Sequence, residues 1–378
     1  MPVNEEPVIT TVIPTYRRPK LLRRAIQSVL NQTYPHFLVC VYDNASGDET
    51  ADVVAEIARR DSRVRYHRHP ENIGLVRNFA YGAAQVATPF LDFLSDDDLL
   101  LPKFFETAMA TFERYPQAMM FVGETIEAAQ DGSNPRSSPW REGVYEQPNG
   151  VSHSFQASTN WTGMVFQRVA LRALGELDPD AGEALDCDLV LRICSRYPVV
   201  ASKAPCGLFF YGGASSWSPL CNWIETHLRT KAKIESDPAL SPGERARMAS
   251  EMERWLVRKS FRQGLDRAAR LARLDDAKAA AKVLQRFAPN SFQARLAKLF
   301  GTQSLAGGTA RAAFRAARAL HSRARGLTNF RHRRELRAVM REALEACGDG
   351  RTASGAERPA TYMRTVGQIP ASPIDRGY

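Results

Sequence analysis

Short apolar runs alternate with amphipathic stretches over the first 122 residues of the chain. In the amphipathic stretches apolar residues recur every three or four positions, as Leu22, Ile26 and Val29 do, which predicts helices with one buried face. The apolar runs are almost wholly apolar, which is typical of parallel strands buried on both faces of a sheet. The pattern therefore predicts an α/β fold built from β-α-β units. The five predicted strands are Thr10–Ile13, Phe37–Tyr42, Val64–His67, Phe90–Leu94 and Ala118–Val122.

The composition changes after these predicted strands. Residues 123–160 are rich in Gly, Pro, Ser and Asn, and we expect them to be mostly loop. A helical pattern begins at about Trp223, and Ser241 and Glu244 have the spacing of a capping box, with Pro242 at the first helical position. Further helices are predicted over Asp275–Phe287 and Phe292–Phe300.

The chain thus divides into three parts. An α/β domain is predicted over residues 1–220 and a basic α-helical region over residues 221–348. Residues 349–378 are rich in Gly, Pro, Ser and Thr, so we expect a disordered tail there.

The net charge of +10 is distributed unevenly. Residues 1–220 hold 20 Lys and Arg against 26 Asp and Glu, whereas residues 221–350 hold 27 against 13. This polarity indicates two tasks, one of which involves an anionic surface such as a membrane or a nucleic acid. No zinc, RNA-recognition or helix-turn-helix signature accompanies the basic stretch, so a nucleic-acid or anionic-surface binding protein is the alternative interpretation and not the leading one.

Cysteine usage and the N-terminus bear on the compartment. The six cysteines form no Cys-x-x-Cys pair, so we expect reduced thiols. The first residues, Met-Pro-Val-Asn-Glu-Glu, do not resemble a signal peptide, and no apolar run approaches the roughly 18–20 residues that cross a bilayer. These features predict a cytoplasmic protein.

Polar residues follow four of the predicted strands. Ligands bind beyond the carboxyl ends of the strands in open α/β sheets, so we expect a binding site at this edge. Taken singly, each residue has an ordinary alternative: an aromatic that packs, an aspartate that caps a turn, or an acidic triplet that caps the helix near Pro102. The residues are Pro14, Thr15, Tyr16 and Arg17, then Asp43, then Asn72 and Arg77, and finally Asp96, Asp97 and Asp98.

In combination these motifs resemble the family 2 glycosyltransferases, whose fold is called GT-A. The resemblance covers about residues 8–217 and implies a Rossmann-like mixed sheet flanked by helices. It also implies metal-dependent transfer of a sugar from a nucleoside-diphosphate sugar, UDP-linked, to a hydroxyl acceptor, with inversion, in polysaccharide or glycoconjugate assembly. The matching motifs are Ile13-Pro14-Thr15-Tyr16, Asn31-Gln32-Thr33-Tyr34, Tyr42-Asp43-Asn44-Ala45-Ser46, Asn72-Ile73-Gly74 with Arg77-Asn78, and Leu94-Ser95-Asp96-Asp97-Asp98.

The resemblance also implies roles for individual residues. Asp97 is expected to bind the metal directly, with Asp98 as a second metal residue, and Asp96 to lie near the ribose. Ser95 replaces the family's first acid, which leaves the division of labour among the three aspartates open. Oxygen-only ligands with open positions suit Mg²⁺ or Mn²⁺. The donor-binding residues are expected to be Pro14, Thr15, Tyr16, Arg17, Asp43, Asn72, Arg77 and Asp96.

A second segment resembles the family's catalytic region. Leu185 to Arg192 matches it imperfectly, and Asp186 falls on the position of the general base. The alternative is that Asp186 and Asp188 cap the helix that follows. Asn160-Trp161-Thr162-Gly163 resembles the acceptor-side loop, although Trp161 is as a lone residue more often a core aromatic, and Tyr211-Gly212-Gly213-Ala214-Ser215 resembles the closing segment.

One other enzyme function competes with this prediction, and the basic helices lead to a separate prediction. A sugar-nucleotide nucleotidyltransferase should carry a Gly-rich loop after the first strand, and Pro14 to Pro19 contains no glycine. The basic helices predict peripheral contact with an anionic inner membrane surface that presents a lipid-linked acceptor, because Arg311, Arg315 and Arg318 share a helical face. The alternative is that these helices pack on the acidic catalytic domain.

Overall fold

The computed structural model describes residues 6–138, 140–155, 160–211, 219–328 and 330–347, and the side chains of these residues outside 318–333. Its strands are β1 Ile9–Thr15, β2 Phe37–Asp43, β3 Val64–Arg68, β4 Phe90–Phe93, β5 Leu99–Leu100, β6 Met120–Ala129, β7 Arg136–Ser137, β8 Gly143–Tyr145, β9 Met164–Gln167 and β10 Val199–Tyr211. Its helices in the first 211 residues are α1 Pro19–Leu30, α2 Thr50–Ala58, α3 Leu75–Ala84, α4 Phe104–Arg114, α5 Asn149–Ser154, α6 Arg168–Ala173 and α7 Leu185–Arg196.

The strands form one mixed sheet in the order β3-β2-β1-β4-β9-β6-β10-β5, with β7 and β8 paired at its side. Strands β3, β2, β1 and β4 are parallel, so their carboxyl ends lie at one edge. Strand β9 runs antiparallel between β4 and β6, and β10 is parallel to β6. The predicted mixed sheet flanked by helices is therefore confirmed.

Helices cover both faces of the sheet, as the apolar pattern requires. Leu22, Ile26 and Val29 of α1 are fully buried in one core with Ile13. A second core on the opposite face includes Phe93, and most of α7. All five predicted strands are present, with ends that differ by up to two residues except in β6.

Strand β6 is longer than the sequence predicts, because it continues through Ala129 into the stretch expected to be loop. The added part pairs with β10, and its charged Glu127 is buried against Arg136 of β7, Oε2 to Nη2, at 2.6 Å. An ion pair with the exposed arginine lets the strand bury a glutamate that breaks the apolar pattern. Strand β8 and α5 also fall in this expected loop.

The helical pattern predicted after the sheet is confirmed. The capping box at Ser241 and Glu244 is formed, and the two helices predicted over Asp275–Phe287 and Phe292–Phe300 are present. The helices are α8 Leu220–Ser236, α9 Pro242–Leu271, α10 Leu274–Phe287, α11 Phe292–Phe300, α12 Leu305–Thr328 and α13 Phe330–Ala346.

Helix α13 returns to the sheet and covers its β5 edge. Leu336, Met340 and Ala343 pack in one apolar cluster with Leu99 of β5 and Phe210 of β10. At the end of the helix, the Asn31 side chain donates from Nδ2 to the Ala346 carbonyl oxygen at 3.0 Å. The C-terminal helices therefore pack on the α/β domain, which is the alternative to a free basic surface.

Two arginines expected on a membrane-facing surface have intramolecular partners instead. Arg311 donates to the carbonyl oxygens of Phe300 and Thr302, at 2.8 and 2.7 Å, and Arg315 donates to that of Ala269 at 2.7 Å. Both thereby satisfy carbonyls near the ends of α11 and α9. The Arg318 side chain and the tail predicted over 349–378 lie outside the described residues.

The six cysteines are all free thiols in the structure. Over the described residues, none of the helices combines the length and apolarity that a bilayer crossing demands.

Candidate active site

A cleft of about 370 Å³ opens at the carboxyl ends of β1 and β4. It brings together six of the residues predicted from the sequence, which supports the expectation that the strand ends form the site. The cleft is lined by Pro14, Thr15, Tyr16, Arg18, Asn44, Asn72, Gly74, Leu75, Asn78, Phe79, Ser95, Asp96 and Asp97.

The end of β1 forms one wall of the cleft. The Thr15 hydroxyl donates to Oδ2 of Asp96 at 2.8 Å, which fixes the first strand to the acidic triplet. Arg17 turns the chain with a φ of 55°, and its backbone N–H donates to Ser46 Oγ at 2.9 Å. This turn leaves the Tyr16 ring 38% exposed at the cleft, where a flat ligand could stack on it. Arg17 itself does not line the cleft.

Asp43, predicted to bind the donor, is buried behind the cleft. Its Oδ1 accepts hydrogen bonds from the backbone N–H and the hydroxyl of Ser46, at 2.9 and 2.5 Å. Its Oδ2 accepts from the Tyr66 hydroxyl at 2.6 Å. These bonds hold the turn after β2 and occupy both carboxylate oxygens with donors from the protein.

The next residue, Asn44, does line the cleft, and sequence reasoning missed it. Its Nδ2 donates to Asn72 Oδ1 at 2.8 Å, and its Oδ1 accepts from the Ile73 N–H at 2.8 Å. Asn72 also accepts from the Gly74 N–H at 2.9 Å, and Gly74 has a φ of 83° where α3 begins. The signal was available, because Asn44 follows Asp43 within a motif already identified.

The motif at the start of α3, Asn72-Ile73-Gly74 with Arg77-Asn78, contributes some residues to the cleft and others to the packing of the helix. Arg77, predicted to bind the donor, is exposed on α3 and outside the residues that line the cleft. Asn78 is buried and donates from Nδ2 to the Tyr42 carbonyl oxygen at 2.8 Å, while its Oδ1 lies 2.9 Å from His69 Nε2. Asn78 therefore joins α3 to the sheet.

The three aspartates after β4 point in two directions. Asp96 and Asp97 line the cleft, whereas Asp98 is buried beneath it. Oδ2 of Asp98 accepts from the Thr162 hydroxyl at 2.6 Å, and Oδ1 accepts from the Phe210 N–H at 2.9 Å. Asp98 thus connects the triplet to the Asn160–Gly163 segment and to β10. Helix α4 begins after Lys103 without a side-chain cap, so the triplet does not cap it.

Arg18 is the second lining residue that sequence reasoning missed. Its Nη1 lies 2.9 Å from Oδ1 of Asp96 and 3.3 Å from Oδ2 of Asp97. Burial raises the pKa of Asp96 to about 6, and the Arg18 charge opposes the increase. Burial likewise raises the pKa of Asp97, again against Arg18. A cation between the two carboxylates therefore stabilises their ionised forms.

The residues described in the structure contain no cluster of three or more carboxylate, imidazole or thiol groups that could hold a metal. Two carboxylates with a contact to a shared cation are present instead, in Asp96 and Asp97. Mg²⁺ is commonly bound by one or two carboxylates together with phosphate oxygens and waters. The pair therefore suits a metal that arrives with a diphosphate.

Asp186, the predicted base, lies in the first turn of α7 and outside the lining of the cleft. A short 3₁₀ helix, Pro179–Ala184, leads into it through Gly182, whose φ is 56°. Oδ1 of Asp186 accepts from the Cys187 N–H at 2.6 Å, and helix α7 has no side-chain N-cap. Burial raises the pKa of Asp186 to about 6, and the Lys259 ammonium of α9 opposes this increase.

Asp188, two residues further on, is a buried structural anion. It accepts from Arg192 Nε on Oδ2 and from Lys233 Nζ on Oδ1, both at 2.8 Å. Lys233 of α8 also pairs with Asp178 at 2.5 Å. Helix α8 is thereby tied to the chain on both sides of Asp186, which holds the predicted base in place relative to the helical region.

The predicted acceptor-side loop is only partly open to a ligand. Trp161 is buried, with its ring 4.8 Å from that of Phe79 and 4.5 Å from that of Phe93, centroid to centroid. It is a core aromatic. Of the predicted closing segment, Tyr211 ends β10 and residues 212–215 lie outside the described part of the chain.

The fold and the position of the cleft define a glycosyltransferase domain of the GT-A type. Residues 10–174 match the family model described as "Glycosyl transferase family 2", so this segment is similar to that family.

Curated relatives resemble the same part of the chain. The GalNAc(5)-diNAcBac-PP-undecaprenol beta-1,3-glucosyltransferase of Campylobacter jejuni is 34% identical over 104 residues, which are 27% of this chain and 34% of the relative. An uncharacterized glycosyltransferase of Methanocaldococcus jannaschii is 30% identical over 103 residues, 26% of this chain and 35% of the relative. The chain thus matches about a third of the length of these two proteins.

Solved structures share the fold at low identity. Staphylococcus aureus TarS, residues 1–349, in complex with UDP-GlcNAc has a TM-score of 0.59 and 14% identity, over 82% of this chain and 92% of that one. A mannosyltransferase of Pyrobaculum calidifontis in complex with GDP-Man and Mn²⁺ has a TM-score of 0.50 and 17% identity, over 91% and 86%. At these identities the likeness shows the fold.

Proposed function

We propose that the protein transfers a sugar from a nucleoside-diphosphate sugar to a hydroxyl acceptor. The observation that carries this proposal is the cleft at the strand ends, which combines an exposed aromatic ring, Tyr16, with amides and two carboxylates within the matched family segment. A nucleotidyltransferase has no comparable support, since no glycine-rich loop follows β1.

The donor lies with its nucleobase near Tyr16 and Asn44. Asp43 supports this position from behind, because its oxygens hold Ser46 and Tyr66. A uridine nucleotide is the first choice through the family resemblance, and a TarS complex contains UDP-GlcNAc. The Pyrobaculum enzyme is in complex with GDP-Man, so guanosine donors belong in the same test. Arg17, Arg77 and Asn72 stay candidates for contacts along the donor.

Asp97 and Asp96 are the residues that would hold Mg²⁺ or Mn²⁺. Both face the cleft, and their contact with one guanidinium nitrogen marks a position that suits a cation. Once bound, the metal would neutralise charge on the departing nucleoside diphosphate. We propose that Asp98 supports this site from below, since its oxygens accept from Thr162 and Phe210.

Asp186 is the proposed general base, which takes the proton of the acceptor hydroxyl as the new glycosidic bond forms. A carboxylate with a pKa of about 6 is ionised at neutral pH and has a higher proton affinity than an ordinary aspartate. A single displacement of this kind inverts the anomeric centre. The proposed acceptor is a glycan or a lipid-linked saccharide in polysaccharide or glycoconjugate assembly.

Peripheral contact with an anionic membrane is a separate proposal that the charge distribution motivates. Arg311 and Arg315 are already bonded to carbonyls, so it depends on exposed basic residues such as Arg337 and Arg341 of α13. Basic residues near an anionic surface contribute about 1 kcal/mol each before screening.

Calorimetry with nucleotides tests the donor and the metal together. We expect UDP or GDP to bind more tightly with Mn²⁺ than with EDTA, and Asp97→Ala to remove most of this difference because the diphosphate loses its bridge. Screening of UDP- and GDP-sugars for metal-dependent hydrolysis then identifies the sugar. Equal nucleotide affinity with metal and with EDTA in the wild-type protein would exclude metal-dependent donor binding.

A matched control separates loss of the metal from damage to the fold. Asp52→Ala removes a carboxylate from the first turn of α2, outside the cleft residues, and should leave the metal effect intact. If Asp97→Ala and Asp52→Ala lose the effect of the metal on nucleotide affinity equally, Asp97 has no special role in metal binding.

A further inference from the structure

The position of Arg18 raises a question about how a metal enters the site. One nitrogen of its guanidinium contacts carboxylate oxygens of both Asp96 and Asp97, which is where a bridging divalent cation would sit. The Arg18 side chain is 27% exposed and lines the cleft, whereas those of the two aspartates are only 7% and 11% exposed. The more accessible partner is therefore the arginine.

A divalent ion and the guanidinium cannot share this position. Two positive groups between the same pair of oxygens repel each other, and the oxygens lie within hydrogen-bond reach of one cationic nitrogen. Metal binding to the free protein thus requires the ion pairs of Arg18 to break. Breaking a partly buried ion pair costs free energy that the incoming metal must offset.

The diphosphate of a donor provides a new partner for the displaced guanidinium. Arginine binds phosphate oxygens with two parallel hydrogen bonds, and the donor occupies the same cleft that Arg18 lines. Arg18 is placed to move between the two positions. It is the N-cap residue of α1, with Pro19 as the first helical residue, so its backbone is held while its long side chain can rotate.

We propose that Arg18 is a resident counter-cation of Asp96 and Asp97, which the metal and the donor diphosphate displace together. The consequence is positive coupling: each of the two ligands binds more tightly in the presence of the other, because only together do they replace the ion pairs that Arg18 gives up. This inference rests on the proposed function for the diphosphate, but the competition between Arg18 and a metal does not.

The test is a titration with Mn²⁺ alone, followed by paramagnetic relaxation, which detects weak binding. We expect Arg18→Gln to bind Mn²⁺ on the order of tenfold more tightly than the wild-type protein, because the competitor is gone. Arg23→Gln is the matched control: it removes the same charge from α1, where Arg23 pairs with Glu56 at 2.5 Å, and should bind Mn²⁺ as the wild type does. Circular dichroism checks that each variant is folded. Arg18→Lys keeps a cation of shorter reach, so its Mn²⁺ affinity should lie between those of the wild type and Arg18→Gln.

Repeating the titration with UDP or GDP measures the coupling. In the wild-type protein nucleotide should increase Mn²⁺ affinity by about tenfold or more, and in Arg18→Gln by clearly less. The proposed role of Arg18 as a counter-cation would be overturned if Arg18→Gln and Arg23→Gln bound Mn²⁺ equally tightly. It would also be overturned if neither variant bound Mn²⁺. Absence of nucleotide binding in every variant with metal would instead reject the proposed donor site, while the result with Mn²⁺ alone would still decide the role of Arg18.

Discussion

Asp186 shows how a single residue depends on two parts of the chain. It lies in the α/β domain, yet the charge that opposes the rise of its pKa belongs to Lys259 of the long helix α9. Burial disfavours the ionised carboxylate and the ammonium favours it, so the helical region influences the proton affinity of the proposed base.

The pH dependence of sugar transfer should report this arrangement. A base must be deprotonated to work, so the rate in wild-type protein should rise with pH and level off above the Asp186 pKa of about 6. Lys259→Met removes the charge that lowers this pKa, and the rising limb should move to higher pH. Asp186→Asn should decrease transfer by roughly 10²–10⁴-fold at every pH.

The control for this profile is Lys282→Met, which removes an exposed lysine of α10. It should leave the pH at which the rate rises unchanged. A profile that is identical in Lys259→Met and in the wild type would show that the two groups do not interact. Normal transfer by Asp186→Asn would mean that another group is the base.

The sequence predicted which residues lie near the cleft better than it predicted the hydrogen bonds and ion pairs that their side chains form. Tyr16, Asp96 and Asp97 follow strands whose carboxyl ends must meet, so topology alone brings them together. Asp43 and Asp98 follow strands in the same way, but their oxygens face donors inside the protein. Side-chain direction depends on partners that are distant in sequence, which also explains why the ion pairs of Arg18 went unpredicted.

At the scale of elements, the periodicity of apolar residues predicted the helices and strands that bury one face along their whole length. Helices α1, α10 and α11 each bury one continuous face, and the bounds of α10 and α11 agree with the sequence prediction within one residue. The second half of β6 was missed because Gly123 and Glu124 end its apolar pattern after Val122 and Glu127 interrupts it again. Arg136, the partner of Glu127, comes nine residues later. A charge that is neutralised by tertiary contact cannot be distinguished in the sequence from one that is exposed.

Helix α13 provides an element-scale prediction. Met340 is 4% exposed and packs against the β5 and β10 edge, so Met340→Ala should decrease the free energy of unfolding by about 2–5 kcal/mol. Arg337→Ala, at an exposed position of the same helix, should change it by no more than about 0.5 kcal/mol. Urea denaturation followed by circular dichroism measures both. Equal midpoints for the two variants would show that α13 contributes nothing to the sheet edge.

At the scale of the whole molecule, the α/β domain and the helical region share one core. A single apolar cluster extends from Phe79 and Phe166 of the sheet side to Met252, Trp255 and Leu256 of α9. Lys233 adds ionic contacts across the same boundary. The division at residue 220 that the sequence predicts is therefore a change of secondary structure within a continuous interior.

A fragment of residues 1–220 should consequently fail to fold into a native state. Without α9 it would expose the apolar side chains that α9 covers, and we expect it to aggregate or to lose its near-ultraviolet circular dichroism. A chain that ends at residue 347 keeps every described helix and is the control, with a signal like that of the full chain. A soluble 1–220 fragment with native near-ultraviolet dichroism would show that the α/β domain folds alone.

The return of α13 to the β5 edge has a consequence for biosynthesis. A ribosome completes β5 at Leu100 and begins α13 only at Phe330, so the two are separated by on the order of 10–50 s at ordinary elongation rates. Until α13 is made, Leu99 and Ile126 lack the side chains that later cover them, and so does Phe210 once β10 has been synthesised. Newly made chains therefore present an uncovered sheet edge to their neighbours on the same messenger, and we expect chaperones that shield this edge until α13 is made to increase their yield.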